Sequence, residues 1–285
     1  MEITSVNNDL VKEVVKLQQK KYRDKTGKFL LEGKKCVEEA ISAGLEIEYV
    51  FIDKAAGDAA KQLGSYAAKL DNSEISQAQI TAKNLSTVQP FNYSTKNNIA
   101  LSSNSIIYTV PSVLKKISTT DTPPDVVAVA YKKTFEMPEN AKKVVLLENI
   151  KDLGNLGTIL RTSVAFGVDA VILYGKDCAD IYNPKCVRST VGNLWKIPVI
   201  YIEDFEELKK TFKDFERVAT LPRAKEYLKD FKVKEPVLVM FGSEADGLSD
   251  ELINFSTKSV KIEMTENVES LNLSVSCAVV LYKFL

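Results

Sequence analysis

The side chains best suited to chemistry occur in three polar segments, each of which follows an apolar run predicted to be a β-strand. These are ENIKDLGNLGTILRT at 148–162, FGSEADGLSDEL at 241–252 and IEMTENVESLNLS at 262–274. The chain has no histidine, which excludes Ser-His-Asp and Cys-His catalysis and the usual general base near neutral pH. Any proton transfer must therefore use Arg, Lys, Asp, Glu, Ser, Asn, Tyr or Cys, or a bound cosubstrate.

The first segment combines flexible backbone with two polar side chains. Gly154 and Gly157 bracket Asn155 and permit a tight turn into a helix. Arg161 follows Gly157 by about one helical turn among apolar neighbours, so we expect its guanidinium near buried surface. A surface arginine on an amphipathic helix is the alternative interpretation.

The second segment places a carboxylate at a strand exit. Gly242 allows another chain or a ligand to approach the backbone closely, and Glu244 could orient a ligand or a partner side chain. The alternative is an ordinary turn before a helix that is capped by Ser249.

The third segment opens the last helix of the chain with small polar residues. Its main-chain groups could hold a planar ring. The alternative is that Ser270 caps the helix and that Asn272 lies in its first turn.

A regular alternation of strands and helices from residue 142 onward must position these segments. We predict six strands, and the alternation indicates a parallel sheet covered by helices on both faces. Ligands of such sheets bind beyond the carboxyl ends of the strands, where the three segments lie. The sequence contains neither GxGxxG nor a Walker A motif, so a nucleotide-like ligand must be held in another way.

The first part of the chain predicts a smaller α/β unit. Domain boundaries are expected at 1–110 for this unit, 111–141 for a linker with a probable strand at 126–131, and 142–285 for the second domain. Within the first unit we expect a single helix over 7–21, strands at 29–33 and 47–53, and helices at 34–44, 55–70 and 76–86.

Charge is uneven near the N-terminus although the whole chain is balanced at 38 basic and 38 acidic residues. Residues 1–35 carry nine basic and five acidic side chains, which is typical of a polyanion-binding face or of a solvated helix surface.

Composition indicates a soluble globular protein, since 45% of the 285 residues are hydrophobic and 27% are charged. No apolar run approaches the ~18 residues that a bilayer span needs, and the N-terminus lacks an apolar signal core, so we expect a cytoplasmic protein without membrane contact. The four cysteines are widely spaced, which argues against disulfides and against a metal site.

Taken in order, the three segments resemble the three motifs of the SpoU family, the RNA 2′-O-ribose methyltransferase branch of the SPOUT superfamily. NPKCVRSTVGNLWKIPV at 183–199 resembles the segment between the first and second motifs, and FLLEGKKCVEEAISAG at 29–44 resembles an L30e-like RNA-binding domain. Leu153 and Glu263 stand where the family commonly has proline.

The resemblance implies a parallel-sheet SPOUT domain with a C-terminal trefoil knot, preceded by a smaller L30e-like α/β domain. It implies S-adenosylmethionine as cosubstrate, held by Gly242, Ile262 and Leu271, and a homodimer formed through the methyltransferase domain. The residues expected around the reacting ribose are Arg161, Asn155, Glu244, Ser270, Asn272 and Ser274.

The expected substrate is structured RNA, ribosomal RNA before transfer RNA. Lys20, Lys21 and Arg23 are the predicted phosphate contacts. Two alternatives stay open: a SPOUT protein that methylates a base nitrogen, and a non-catalytic RNA-binding or ribosome-assembly factor. Arg161 is either a general base or, because a guanidinium stays protonated in proteins, a cation that stabilises the developing alkoxide.

Overall fold

The computed structural model describes residues 1–56 and 105–284. The helices predicted over 55–70 and 76–86 lie almost wholly outside these residues. The chain divides into two units, Met1–Lys133 with Tyr182–Pro184, and Thr134–Ile181 with Lys185–Leu285. No helix of the described residues has the length and hydropathy that a membrane span requires.

The N-terminal unit contains a mixed five-stranded sheet in the order β1-β4-β3-β5-β2. Its strands are β1 (Glu2–Ile3), β2 (Lys28–Glu32), β3 (Ile47–Asp53), β4 (Ile106–Thr109) and β5 (Val126–Tyr131), and its helices are α1 (Asp9–Lys16), α2 (Lys20–Thr26), α3 (Lys34–Ser42) and α4 (Pro111–Ile117). Buried aliphatic side chains of the first and last helices pack on the strands around Phe51 and Ile107.

The helix predicted over 7–21 is interrupted, which corrects the sequence analysis. It divides into α1 and α2 because Gln19 has an extended conformation, with φ −100° and ψ 135°. Arg23, only 1% exposed, donates Nη1 to the carbonyls of Leu17 and Gln18 at 2.9 Å each. These carbonyls end α1 and have no partner within that helix, so the guanidinium satisfies them.

The linker expected over 111–141 is also corrected. It contains α4 and β5, and β5 pairs antiparallel with both β2 and β3. An apolar strand hydrogen-bonded on both sides belongs to the sheet core, so the N-terminal unit extends to Lys133.

The second unit contains a seven-stranded sheet in the order β10-β12-β9-β11-β6-β7-β8, in which every pair is parallel. This confirms the predicted parallel sheet. The strands are β6 (Lys143–Glu148), β7 (Ala170–Tyr174), β8 (Val199–Ile202), β9 (Glu216–Thr220), β10 (Glu226–Tyr227), β11 (Val237–Phe241) and β12 (Lys258–Lys261).

The helices of this unit are α5 (Leu153–Ala165), α6 (Pro184–Ser189), α7 (Phe205–Thr211), α8 (Asp250–Phe255) and α9 (Leu273–Lys283), with a 3-10 turn at Leu194–Lys196. Strands β7 and β11 are buried along their whole length, as central parallel strands are. Helix α6 ends at Ser189 and does not continue toward Trp195, because Val191 and Gly192 adopt left-handed φ values of 50° and 79°.

Candidate active site

A continuous set of side-chain hydrogen bonds joins the three polar segments. Asn155 donates Nδ2 to Oε1 of Glu244 at 2.8 Å and accepts at Oδ1 from Nδ2 of Asn272 at 3.0 Å. Oδ1 of Asn272 in turn accepts the hydroxyl of Ser274 at 2.6 Å. We call these four residues the polar quartet; they lie beyond the carboxyl ends of β6, β11 and β12, as the sequence predicted.

The position of Asn155 is fixed by the start of α5. Asp152 is the N-cap of this helix, and its carboxylate accepts the Asn155 N–H at 2.7 Å. Gly157 then allows α6 to approach α5, since a Cβ at this position would lie 2.4 Å from Cβ of Ser189. The first turn of α5 is therefore held from both sides.

Asn272 is the N-cap of α9, which corrects the interpretation that Ser270 caps this helix. Oδ1 of Asn272 accepts the backbone N–H of Ser274 at 2.9 Å and of Val275 at 3.3 Å. Ser270 is exposed and lies two residues before the cap. The cap therefore orients the Asn272 amide nitrogen toward Asn155.

The segment after β11 folds back on itself at Gly242. A Cβ there would lie 1.9 Å from the carbonyl carbon of Gly247, and Ser243 and Gly247 exchange two backbone hydrogen bonds of 3.1 Å. The close approach that the sequence suggested is made by the chain's own backbone. Glu244 lies at the top of this turn.

Two carboxylates that the sequence did not single out support this turn and the helix after it. Glu148, 6% exposed at the end of β6, accepts the N–H of Ser249 at 2.8 Å. Glu251 accepts the Tyr174 hydroxyl at 2.7 Å, and burial with this bond raises the pKa of Tyr174. Glu148 could have been found from the sequence, because a charged residue at the end of a buried apolar strand needs a hydrogen-bonding partner.

Comparison with known proteins gives these residues a family context. Residues 142–282 match the SpoU rRNA Methylase family and residues 8–88 match the MRM3-like substrate binding domain. The chain is 30% identical over 285 residues to an uncharacterized tRNA/rRNA methyltransferase of Synechocystis, covering 99% of this chain and 92% of that protein.

The chain belongs to the SpoU rRNA methylase family. It is 28% identical to a 23S rRNA (guanosine(2553)-2'-O)-methyltransferase of Bacillus subtilis, over 99% of this chain and 98% of that protein. The AdoMet-bound rRNA methyltransferase of Sinorhizobium meliloti has a similar structure, with a TM-score of 0.79, 25% identity, and coverage of 99% and 96%. The family resemblance read from the motifs is thereby confirmed.

Arg161 of this SpoU-family chain is not part of the polar quartet. It follows Asn155 by six residues on α5, which rotates its side chain by about 120° around the helix axis. It is exposed, which corrects the expected position near buried surface. Within 1–56 and 105–284 no carboxylate or carbonyl accepts from its guanidinium.

The predicted cosubstrate contacts lie on neighbouring loops of the SpoU domain. Gly242 follows β11, while Ile262 and Leu271 are half-buried on the loop that follows β12. In residues 263–271 the amide of Val268 donates to Thr265 at 3.3 Å, and the other amides have no acceptor in the part of the chain described. Half-buried aliphatic side chains beside unbonded amides suit an adenosyl group, so these residues fit S-adenosylmethionine.

Glu263, the residue found where the family commonly has proline, ties the β12 loop to the segment after β10. Its carboxylate accepts the Lys229 N–H at 3.4 Å and lies 3.7 Å from Lys229 Nζ.

The three predicted phosphate contacts do not share one environment. Lys20 and Lys21 are exposed on α2. Arg23 is buried and engaged with the end of α1, so the prediction that it contacts phosphate is wrong. Its burial depends on packing that the local sequence does not reveal. No group of three or more Cys, Asp or Glu side chains in the described residues is arranged to hold a metal ion.

Proposed function

We propose that this protein transfers a methyl group from S-adenosylmethionine to a ribose 2′-hydroxyl of ribosomal RNA. The observation that carries the proposal is the polar quartet, which joins all three SpoU motifs in one hydrogen-bonded set. The relative from Bacillus subtilis methylates a guanosine 2′-oxygen of 23S rRNA, which supports ribosomal RNA as substrate.

The residues of the chain bind and orient the reactants. Gly242, Ile262 and Leu271 hold the cosubstrate through backbone groups and aliphatic contacts. When bound, S-adenosylmethionine supplies an already activated methyl group, so the protein contributes mainly orientation. Asn155 and Glu244 offer a donor and an acceptor that can fix the ribose hydroxyls, with Ser270 and Ser274 beside them.

Arg161 stabilises the negative charge that develops on the 2′-oxygen as its proton passes to solvent water and the oxygen bonds to the methyl carbon. A guanidinium stays protonated near neutral pH, which favours this electrostatic role over that of a general base. Because Arg161 faces away from the polar quartet of its own chain, it acts on the site of a second subunit.

The homodimer required by this arrangement uses the outer face of α9. Val275, Val279 and Tyr282 are 47%, 38% and 71% exposed and recur at helical spacing along one stripe. Phe166 extends the stripe, with its ring 6.2 Å from that of Tyr282. The stripe begins one turn after Asn272, so a two-fold contact here would place a second copy beside the site.

The proposal includes an L30e-like RNA-binding role for the N-terminal unit. The match of residues 8–88 to a substrate binding domain supports it. Lys20 and Lys21 are its phosphate contacts, since both side chains are exposed on α2 and Lys21 has no ion-pair partner among the residues described. Transfer RNA is the second substrate candidate, in keeping with the tRNA/rRNA name of the Synechocystis relative.

The proposal also includes the trefoil knot. The last helix, α9, packs against α5, and β11 lies between β9 and β6 in the sheet. Both observations support a C-terminal segment that passes through the loop after β11. Stretching single molecules by optical tweezers tests this, because a knotted chain stays shorter than its full contour length.

The decisive experiment uses total RNA from a strain that lacks the gene. The purified protein and tritiated S-adenosylmethionine should label ribosomal RNA, and the modified nucleotide should resist alkaline cleavage on its 3′ side. Label found in a base would contradict the proposal. So would the absence of label in every RNA, with the unchanged protein and the Asn155→Ala variant giving the same result.

A further inference from the structure

A basic segment crosses the same edge of the sheet as the polar quartet. We call residues 221–236, between β9 and β11, the basic arm. It carries five basic and three acidic side chains, and β10 within it pairs with the end of β12 at Val260 and Lys261. The arm is therefore beside the loop that bears Ile262 and Leu271.

The backbone of the arm is held firmly. Ala224, Leu228 and Phe231 are buried, and the Phe231 ring stacks on Phe284 with centroids 5.8 Å apart and planes 16° apart. The Leu228 N–H donates to the Lys261 carbonyl at 2.8 Å. Exposed polar residues lie between these buried residues along the arm. The polar side chains are therefore attached to a backbone that is held in place by packing.

The outward side of the arm combines cations with one aromatic ring. Tyr227 is 41% exposed, and the ammonium groups of Lys261 and Lys229 lie 4.4 and 5.1 Å from its ring centroid. Lys229 is already paired with Glu263. Arg223, Lys225 and Lys261 have no carboxylate partner in the stretches 1–56 and 105–284, so their charge is not neutralised within the fold.

We propose that the basic arm binds the RNA strand that flanks the target nucleotide. A base stacks on the Tyr227 ring, while Lys261 and Arg223 contact the neighbouring phosphates. Base stacking on an aromatic side chain is stronger than an exposed cation–π contact, so Lys261 leaves the ring when a base arrives and is then beside the backbone phosphate. This inference rests on the proposed function.

The spacing of the sheet fits this geometry. β10 is three strands from β11, which gives about 14 Å between the arm and the Glu244 turn. A few nucleotides of one strand cover that distance. Phosphate contacts supply affinity, and an unpaired base on Tyr227 selects a looped or single-stranded flank over a duplex.

The test measures RNA binding by the full-length protein and does not depend on methyl transfer. The probe is a fluorescein-labelled 12-nucleotide single-stranded RNA of mixed sequence, followed by anisotropy at several KCl concentrations. Tyr227→Ala should raise Kd by about 5- to 100-fold, and Tyr227→Phe, which keeps the ring, should bind like the unchanged protein. Lys261→Gln should raise Kd and reduce the salt slope by about 0.7.

Lys213→Gln is the matched control, since Lys213 is exposed just before β9, at the opposite edge of the sheet. It should leave Kd and slope unchanged. Calorimetry should give every variant the same affinity for S-adenosylmethionine. The proposed role of the basic arm is wrong if Tyr227→Ala binds RNA normally. It is also wrong if this variant loses affinity for S-adenosylmethionine as well as for RNA, because Tyr227 would then have a structural role. If Tyr227→Ala raises the Kd for RNA as expected but the unchanged protein methylates no RNA, only the proposed function is contradicted.

Discussion

Asn155 donates its side-chain amide to Glu244 across 89 residues of sequence, at 2.8 Å. The oxygen of the same amide accepts from Asn272. The Asn155 side chain therefore cannot rotate without breaking a hydrogen bond to the second or the third motif. The arrangement aligns a donor and an acceptor before any substrate arrives, which is the condition for efficient orientation.

Replacing Asn155 by alanine removes both of these bonds. We expect kcat to fall on the order of 10²-fold, while the Kd for S-adenosylmethionine stays nearly unchanged because Asn155 is not one of the residues that hold the cosubstrate, and Gly242, Ile262 and Leu271 are all retained. Steady-state methylation and calorimetry measure the two quantities. Asn254→Ala, at an exposed position of α8, is the control and should remain fully active. Because the quartet acts as a unit, adding Glu244→Ala should cost little more, and an additive double mutant would argue against coupling.

Arg161→Ala should abolish methylation and leave cosubstrate affinity intact, since the guanidinium is remote from Gly242, Ile262 and Leu271 in sequence and in side-chain direction. Subunit mixing then tests whether it acts across the dimer. A mixture of Arg161→Ala and Asn272→Ala chains should recover about one quarter of the original activity, from the one complete site in each mixed dimer. If Arg161 serves its own chain, the mixture stays inactive.

Gly242→Ala should lower the free energy of unfolding by about 2–3 kcal/mol, because the new Cβ would overlap the Gly247 backbone. Urea unfolding with an unchanged m value measures this. Gly154→Ala is the comparison: its Cβ would meet only the Asp152 carboxylate oxygen, at 3.1 Å, and the change should stay within about 1 kcal/mol. Equal stabilities for the two variants would contradict the self-contact assigned to the β11 turn.

The thiols of Cys178 and Cys186 should be inert near neutral pH. Burial raises the pKa of the half-buried Cys178 to about 11 and that of the buried Cys186 to about 12. Since the thiolate is the reactive form, alkylation of Cys178 at pH 8 should be about 100-fold slower than in the unfolded chain. Its rate should rise about tenfold per pH unit up to pH 10, as measured by iodoacetamide labelling and mass spectrometry. Cys178→Ser should methylate RNA normally, and rapid labelling at pH 7 would overturn the assignment.

The parallel sheet and the polar segments at its strand ends could be read from the sequence, because strand periodicity and strand-end polarity are local patterns. All four members of the polar quartet were named in advance, but from the family resemblance of the three motifs and not from periodicity. The sequence also indicated that Asn272 and Ser274 open the last helix. What it left undecided was which residue caps that helix, since Ser270 and Asn272 both have suitable side chains. In the structure Asn272 is the cap, and its amide nitrogen also bonds to Asn155, 117 residues away.

The surroundings of the arginines, in contrast, became clear from the tertiary structure alone. Arg23 and Lys20 look alike in sequence, yet Arg23 is buried against the carbonyls that follow α1, while Lys20 is left in solvent. Arg161 follows the glycines of the first motif, but the helical rotation between it and Asn155 directs it away from the quartet. Burial and direction are set by contacts between distant segments, and local sequence carries little information about them.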